Sequence, residues 1–352
     1  MDNLRRFVLV FTVVIFFTIA ICGFILAKNY YEISKTDKVV LDSDGTVFDP
    51  NAKDNSALDD LNENILLVVG DKDGQPAEIT MLVNVNTITK ELSFLYFPRE
   101  FKYATLADRQ VDTMGVICNN KSISEAADVI ASQYDITVDN YIYMPTGVFS
   151  EFVDAFAVDP NLPIVSNPTS DPNNPQAEII KNGVEYSIYV DLKYSAGKYN
   201  IDLNRFTKVF TGKEALQLIQ FYRTQNNEYS TEMLKYYDGT DEKRIIAAQS
   251  FLQAFINQKL LKTGNDAFAE EFASKAFPLL AKCETNMTEL NMKQFGSLFT
   301  KISTENIRYF KFNGDDLYLD KYYIVYNETI NDLQTNSLLD GASVIKEYFA
   351  AD

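Results

Sequence analysis

The chain opens on FVLVFTVVIFFTIAICGFIL, Phe7 to Leu26, twenty residues without a charge. At about 1.5 Å per residue a helix of that length matches a hydrocarbon core of about 30 Å, so the segment is predicted to span a membrane. Arg5 and Arg6 precede it and the chain turns acidic soon after Lys28. The positive-inside bias therefore leaves residues 1–6 as a cytoplasmic tail and places the remainder outside. A cleaved signal peptide is the competing reading, but its apolar region would be shorter, and no small-x-small site follows Leu26. Residues 27–62, rich in Asp, Asn, Ser and Lys with little periodicity, read as a juxtamembrane stalk.

Beyond the stalk the pattern changes. Asn64 to Gly70 (NILLVVG) is a short apolar run bounded by turn residues, as expected of a strand buried on both faces. Thr80 to Val85 and Leu92 to Phe97 are strand candidates joined by the polar turn Asn86 to Lys90, and Asn140 to Met144 is another. Ser124 to Tyr134 has helical spacing with a capping-box start at Ser122, Ser124 and Glu125, and Phe149 to Phe156 repeats that spacing. Pro160, Pro163, Pro168, Pro172 and Pro175 mark the stretch from Asp159 to Pro175 as an exposed loop. Tyr186 to Leu192 alternates as a strand, and TGKEALQLIQFYRT opens a helix at Thr211. Further helices are expected at Lys243 to about Leu261, Asp266 to Cys283 and Leu290 to Ile302, then strands at Ile307 to Phe312 and Tyr318 to Tyr326 around Asn313-Gly314. Interleaved strands and helices predict an α/β fold, a central β-sheet covered by helices, in one domain over residues 63–350.

Composition narrows the chemistry. The 352 residues contain no histidine and no tryptophan, and 32 Lys plus Arg stand against 49 Asp plus Glu, a net charge of -17. Without imidazole there is no Ser-His-Asp or Cys-His nucleophile and no histidine zinc site, so chemistry must rest on carboxylates, Arg, Lys, Tyr or bound ions. Setting aside Asp2, Arg5, Arg6 and Lys28 leaves 29 basic and 48 acidic residues beyond position 28, a net of -19. With no Lys/Arg-dense segment, such a surface repels nucleic acid. Cys118 and Cys283 both lie in apolar contexts, where a disulfide and two buried thiols are both open readings.

Ligand sites in α/β sheets collect at strand ends. Three places qualify: the turn Gly70-Asp71-Lys72-Asp73-Gly74 running to Glu78, the turn Pro98-Arg99-Glu100, and Asp241 to Arg244 at the head of the long helix, with Arg223 before it. For each the bland alternative is a turn acid, a local ion pair or a helix-end charge.

These stretches together resemble the LytR-CpsA-Psr family. NILLVVGDKDGQPAEITMLVNVNTITKELSFLYFPRE is similar to the family's opening, a strand, an acidic turn, an Asp-Thr-x-Met-Leu strand and a Ser-x-Pro-Arg-Asp turn. VDNYIYMPTGVFSEFVDAFAV, TGKEALQLIQFYRT, DEKRIIAAQSFLQAFINQKLL and TNMTELNMKQFGSLFTKI resemble later family segments in the same order. The resemblance implies a membrane-anchored, extracytoplasmic domain of the Gram-positive-type envelope with a mixed sheet. It also implies transfer of polyprenyl-pyrophosphate-linked glycopolymers, such as teichoic acid or capsule, onto peptidoglycan; a weak or inactive homologue that binds the same lipid, glycopolymer or an assembly partner is the alternative. It further implies a hydrophobic prenyl cleft, for which Phe149, Phe152, Phe156, Phe251 and Phe255 are candidates against a plain core role, arginines on the pyrophosphate, and acidic side chains on Mg²⁺.

Carried onto this chain, the catalytic positions are Arg99, Asp241 and Arg244. Arg99, Arg223, Arg244 and Asp71 grip substrate, and Glu78 and Glu100 hold the metal. The departures are specific. Glu78 and Glu100 stand where the family has Asp, Pro76 replaces an Arg, Gln220 and Tyr222 fall on two Arg positions, and Ala247 and Ala248 replace an Arg and a Gln. Each lost guanidinium removes charged hydrogen bonds of about 1.5 to 3 kcal/mol.

Overall fold

The computed structural model describes residues 61–99, 102–104, 111–162, 182–239, 241–312, 323–326 and 348–349. The expected membrane span and almost all of the expected stalk, most of the proline-rich loop and the Asn313-Gly314 turn lie outside them. Among the described residues no helix is long and apolar enough to cross a membrane.

The elements run in the order β1 (Asn62–Val69), β2 (Ile79–Asn86), β3 (Glu91–Phe97), β4 (Lys102–Ala104), β5 (Val111–Thr113), α1 (Met114–Asn120), α2 (Ile123–Tyr134), β6 (Asn140–Met144) and α3 (Thr146–Ala157). They continue with β7 (Val184–Glu185), β8 (Leu192–Ala196), β9 (Tyr199–Leu203), β10 (Val209–Phe210), α4 (Gly212–Gln220) and α5 (Asp241–Phe255), which ends in a wide turn, Ile256–Leu260. Then come α6 (Phe268–Leu280), β11 (Glu284–Thr285), α7 (Glu289–Lys301), β12 (Ile307–Phe312) and β13 (Tyr323–Tyr326). Seven of the described strands form one mixed sheet in the order β11-β6-β1-β2-β3-β12-β13. β1 pairs antiparallel with β2 and parallel with β6; β3 pairs antiparallel with β2 and parallel with β12.

Alternation builds three layers. Ile79, Met81, Val83 and Val85 of β2 face one core together with Ile65, Val69, Phe94 and Tyr96, and α3 to α7 cover that face. Leu66, Val68, Leu82, Leu95 and Phe97 face the other, under α1 and α2. Because both faces are covered, β1 reads as a continuous apolar run rather than an alternating one. Cys118 is buried in the second core, where desolvation pushes its thiol up to about 12, and Cys283 is also a free thiol.

The caps follow the sequence signals. Ser122 accepts from the Glu125 N–H while Glu125 accepts from the Ser122 N–H, and Thr211 with Glu214 and Thr288 with Asn291 repeat the arrangement.

Two elements differ from expectation. Tyr186 to Leu192 is not a strand: Ile188, Val190 and Leu192 are buried and Tyr189 is 61% exposed, so the period-two pattern is present, but among the described strands the ladder begins only at Leu192. Alternating burial reports which side chains meet the core; a ladder also needs a neighbouring backbone. The helix from Thr211 stops at Gln220, since Phe221 turns to extended geometry (φ -79°, ψ 116°) and buries its ring. Tyr222 and Arg223 thus leave the helix altogether.

Candidate functional site

The chain leaves β1 at Gly70, β3 at Pro98 and β6 at Pro145, and enters β2 from Glu78, all at one edge of the sheet. Register holds that edge together: the Gly70 N–H donates to the Met144 carbonyl (3.0 Å) and the Glu78 N–H to the Val69 carbonyl (2.8 Å).

A buried charged cluster stands on this edge. Glu78 is fully buried, Arg99 is 6% exposed and Arg244 is 2% exposed. Arg99 Nη1 donates to Glu78 Oε2 at 3.3 Å and Nη2 donates to the Tyr199 hydroxyl at 3.2 Å, which in turn donates to Glu78 Oε1 at 2.9 Å. Asp241, at the start of α5, accepts the Arg99 backbone N–H on one oxygen and Arg244 Nε on the other. Arg244 Nη1 donates to the carbonyls of Glu78 and Ile219, the latter at 3.1 Å. Burial lifts the Glu78 carboxyl above its ordinary range against the opposing pull of Arg99, Arg244, Tyr199 and Lys198. For Arg99 burial works the other way, yet Glu78, Tyr199 and Asp241 outweigh it and hold the guanidinium charged.

Outside the cluster lies the acidic turn. Asp71 is fixed by Thr146 at the head of α3, whose hydroxyl donates at 2.9 Å and whose N–H donates at 3.3 Å. Asp73 accepts the Gln75 N–H at 3.0 Å, an Asx turn. Lys198, in the two-residue turn joining β8 to β9, reaches in among these acids: its Nζ is 2.8 Å from Asp73, 3.3 Å from Asp71 and 3.9 Å from Glu78. Its neighbour Gly197 takes φ +58°, as the first position of such a turn favours.

Inward of the charges the first core is hollow. A cavity of about 180 Å³ is lined by apolar side chains of β1, β2, β3 and β6 on one side and α3, α5, α6 and α7 on the other. Its floor follows β2 from Ile79 to Val85, six residue steps of about 3.4 Å or roughly 20 Å. Phe149, Phe152, Phe251 and Phe255 line it, while Phe156 packs behind against Phe152 and Phe272. One end meets the charged cluster, since Ile79, Ile219 and Ala248 are wall residues and are respectively the chain neighbour of Glu78, a hydrogen-bond partner of Arg244 and one helical turn from Arg244.

The structure thus brings together Glu78, Arg99, Asp241 and Arg244, with Asp71 joined through Lys198. Arg223 stands at the rim, its guanidinium 5.1 Å from the Tyr222 ring and 5.5 Å from that of Tyr194, whose hydroxyl accepts at 3.1 Å. Tyr222, on a position where Arg was expected, lies under Arg99 at 4.9 Å and is shared by both guanidiniums. Glu100 lies outside the described residues. Sequence reasoning missed Lys198 and Tyr199; the available signal was Gly197-Lys198 between the alternating runs LKYSA and YNIDL, a hairpin pattern. Among the described residues no group of three or more Asp, Glu, Cys or His is arranged to hold a metal ion.

The LytR_cpsA_psr family model matches residues 26–338. No curated protein matches the chain in sequence. The fold is similar to that of Bacillus subtilis TagV, with 15% identity over 82% of this chain and 96% of that one at a TM-score of 0.52. It is similar also to protein gbs0355 from Streptococcus agalactiae, with 13% identity, 75% and 81% coverage and a TM-score of 0.52. A LytR-Csp2A-Psr enzyme from Actinomyces oris shares the fold at 10% identity, 82% and 90% coverage and a TM-score of 0.51.

Proposed function

The chain belongs to the LytR-CpsA-Psr family, and from that premise we propose that it binds a polyprenyl-pyrophosphate-linked glycopolymer at the outer face of the cell membrane and transfers it to peptidoglycan. The observation that carries this reading is the all-apolar cavity whose end meets a buried cluster of arginines and carboxylates. An apolar chain gains about 0.8 kcal/mol per methylene removed from water, while guanidinium forks suit phosphate oxygens. Arg99 and Arg223, sharing Tyr222, face the phosphates; Asp241 holds the Arg99 backbone and Arg244 holds Asp241, so both are positioning residues. The apolar segment 7–26 anchors the chain with its N-terminus in the cytoplasm.

Of the two acids on which the resemblance places Mg²⁺, Glu100 lies outside the described residues, and Glu78 shares the Lys198 ammonium with Asp71 and Asp73; among these three carboxylates Mg²⁺ does not fit, because a divalent ion beside an ammonium is repelled strongly.

A second reading, binding without turnover, is favoured by charge count. In the connected cluster Arg99, Lys198 and Arg244 face Asp71, Asp73, Glu78 and Asp241, three cations against four carboxylates. The test incubates the full-length chain in detergent with a polyprenyl-pyrophosphate glycan and a peptidoglycan acceptor. Transfer abolished by Arg99→Ala and by Ala248→Phe, which fills the cavity, supports the transferase. Binding blocked by Ala248→Phe without any transfer supports the second reading, and no binding refutes both.

A further inference from the structure

We propose that Lys198 is a built-in replacement for the divalent cation of this site, so that the site engages a diphosphate without metal. For its second readout below the inference rests on the diphosphate role proposed above; its first readout is independent of it.

Three carboxylates of the one β1–β2 connection surround the Lys198 ammonium: Asp71 and Asp73 near its start and Glu78 at its end, where the chain enters β2. Each is already fixed by something other than Lys198: Asp71 by Thr146, Asp73 by the Gln75 N–H, Glu78 by Arg99 and Tyr199. Acids held this close repel one another unless a cation lies between them. The ion between them is the Lys198 ammonium, within 4 Å of all three and 5.4 Å from the centroid of the Tyr199 ring.

The backbone makes the placement durable. β8 and β9 pair in register from Leu192↔Leu203 to Ala196↔Tyr199, and the Gly197-Lys198 turn projects the side chain from the tip of that ladder. Tyr199, the first β9 residue, hydrogen-bonds Glu78, so the same hairpin is pinned to the site at adjacent positions. A tethered cation has no concentration dependence and cannot be chelated, whereas Mg²⁺ demands near-octahedral oxygens at about 2.0 to 2.1 Å. The Lys198 side chain also remains 30% exposed, so the tip of the hairpin is reached from the solvent side.

The Asp73 carboxyl is correspondingly held below its ordinary range: burial pushes it up, and the Lys198 and Gln75 hydrogen bonds outweigh that. Lys198 is itself raised by Asp73, Tyr199, Glu78 and Asp71 against burial, so it stays charged.

The test uses the full-length chain in detergent. First, Mn²⁺ binding is followed by electron paramagnetic resonance in wild type, Lys198→Met and Lys198→Arg. Lys198→Met is expected to bind Mn²⁺ about 100-fold more tightly than wild type, the high-dielectric repulsion of a divalent ion about 3 Å from an ammonium. Lys198→Arg should resemble wild type, and Asp73→Asn in the Lys198→Met background should remove the gain. Second, binding of geranylgeranyl diphosphate is measured in EDTA and in Mg²⁺. Wild type should be indifferent, whereas Lys198→Met should weaken in EDTA and recover in Mg²⁺. Equal Mn²⁺ affinity in wild type and folded Lys198→Met, or loss of wild-type diphosphate binding in EDTA, overturns the proposal. Should Lys198→Met not fold, as circular dichroism will report, Lys198→Gln replaces it with the same expectations. Absence of diphosphate binding in every variant refutes the function proposed above, while the Mn²⁺ comparison still decides the role of Lys198.

Discussion

Replacing Arg244 by methionine keeps an apolar stem and removes the guanidinium, and the structure indicates that stability will suffer most. Arg244 is 2% exposed, and its donors go to Asp241 and to the carbonyls of Glu78 and Ile219. The change therefore strands one carboxylate oxygen and two carbonyls in a site with little access to water. A hydrogen bond to a charged group is worth about 1.5 to 3 kcal/mol, and breaking a buried ion pair by deleting one partner costs about 3 to 5 kcal/mol. We expect a loss near that range in urea unfolding followed by far-ultraviolet circular dichroism, the chain having no tryptophan. A double-mutant cycle locates the loss. Asp241→Asn keeps an acceptor for the Arg99 N–H but carries no charge to strand, so combined with Arg244→Met it should cost less than the two single changes summed, by about 1 kcal/mol or more. A loss under about 1 kcal/mol with additive singles would refute the positioning role, because an Arg held only for substrate can be removed at little cost to the fold.

Gly115→Ala should disturb the site from behind. An added Cβ would sit 2.3 Å from the Ala77 backbone nitrogen and 2.4 Å from the Gln75 carbonyl, in the segment leading to Glu78; overpacking of this kind costs about 1 to 3 kcal/mol, and a thermal melt that does not move would count against the close approach. Acid should also find the Lys198 cluster. Because Asp73 titrates below its unfolded value, the stability it contributes is complete above that value and is lost as pH falls through the folded one, whereas Glu78, raised by burial, contributes in the opposite sense. Melting temperatures from about pH 5 to pH 2 should therefore fall less steeply in Asp73→Asn than in wild type, and parallel curves would rule out the Asp73–Lys198 pairing.

What could be read along the chain was whatever local physics writes there. Strands β1, β2, β3 and β6, the long helices, the capping box at Ser122 and the helix start at Thr211 follow from periodicity and end chemistry, with few boundaries moved by more than three residues. The strand ends and the head of the long helix were readable as well, and hence Glu78 and Arg99, and Asp241 and Arg244, as candidates. The stretch around Tyr186 differs from its pattern because a period of two reports burial without reporting a partner strand, and the helix toward Arg223 is shorter than its spacing predicts because the burial of Phe221 is a tertiary gain that ends it.

The uncharged apolar run at residues 7–26, the α/β class and the residues at the strand ends follow from short-range rules of hydrophobic spacing and charge, and a single sequence carries those. Which of these charges neutralise one another depended on the fold. Tyr199 and Lys198 lie more than 115 positions from the acids they touch, Tyr222 turned from a lost arginine into the ring beneath Arg99, and the phenylalanines became a cavity wall only when α3 and α5 closed over the sheet. Pairing at that separation is decided by where the fold docks the β8–β9 hairpin, a two-stranded sheet of its own, against the strand ends of the seven-stranded sheet, and no pattern along the chain encodes that distance.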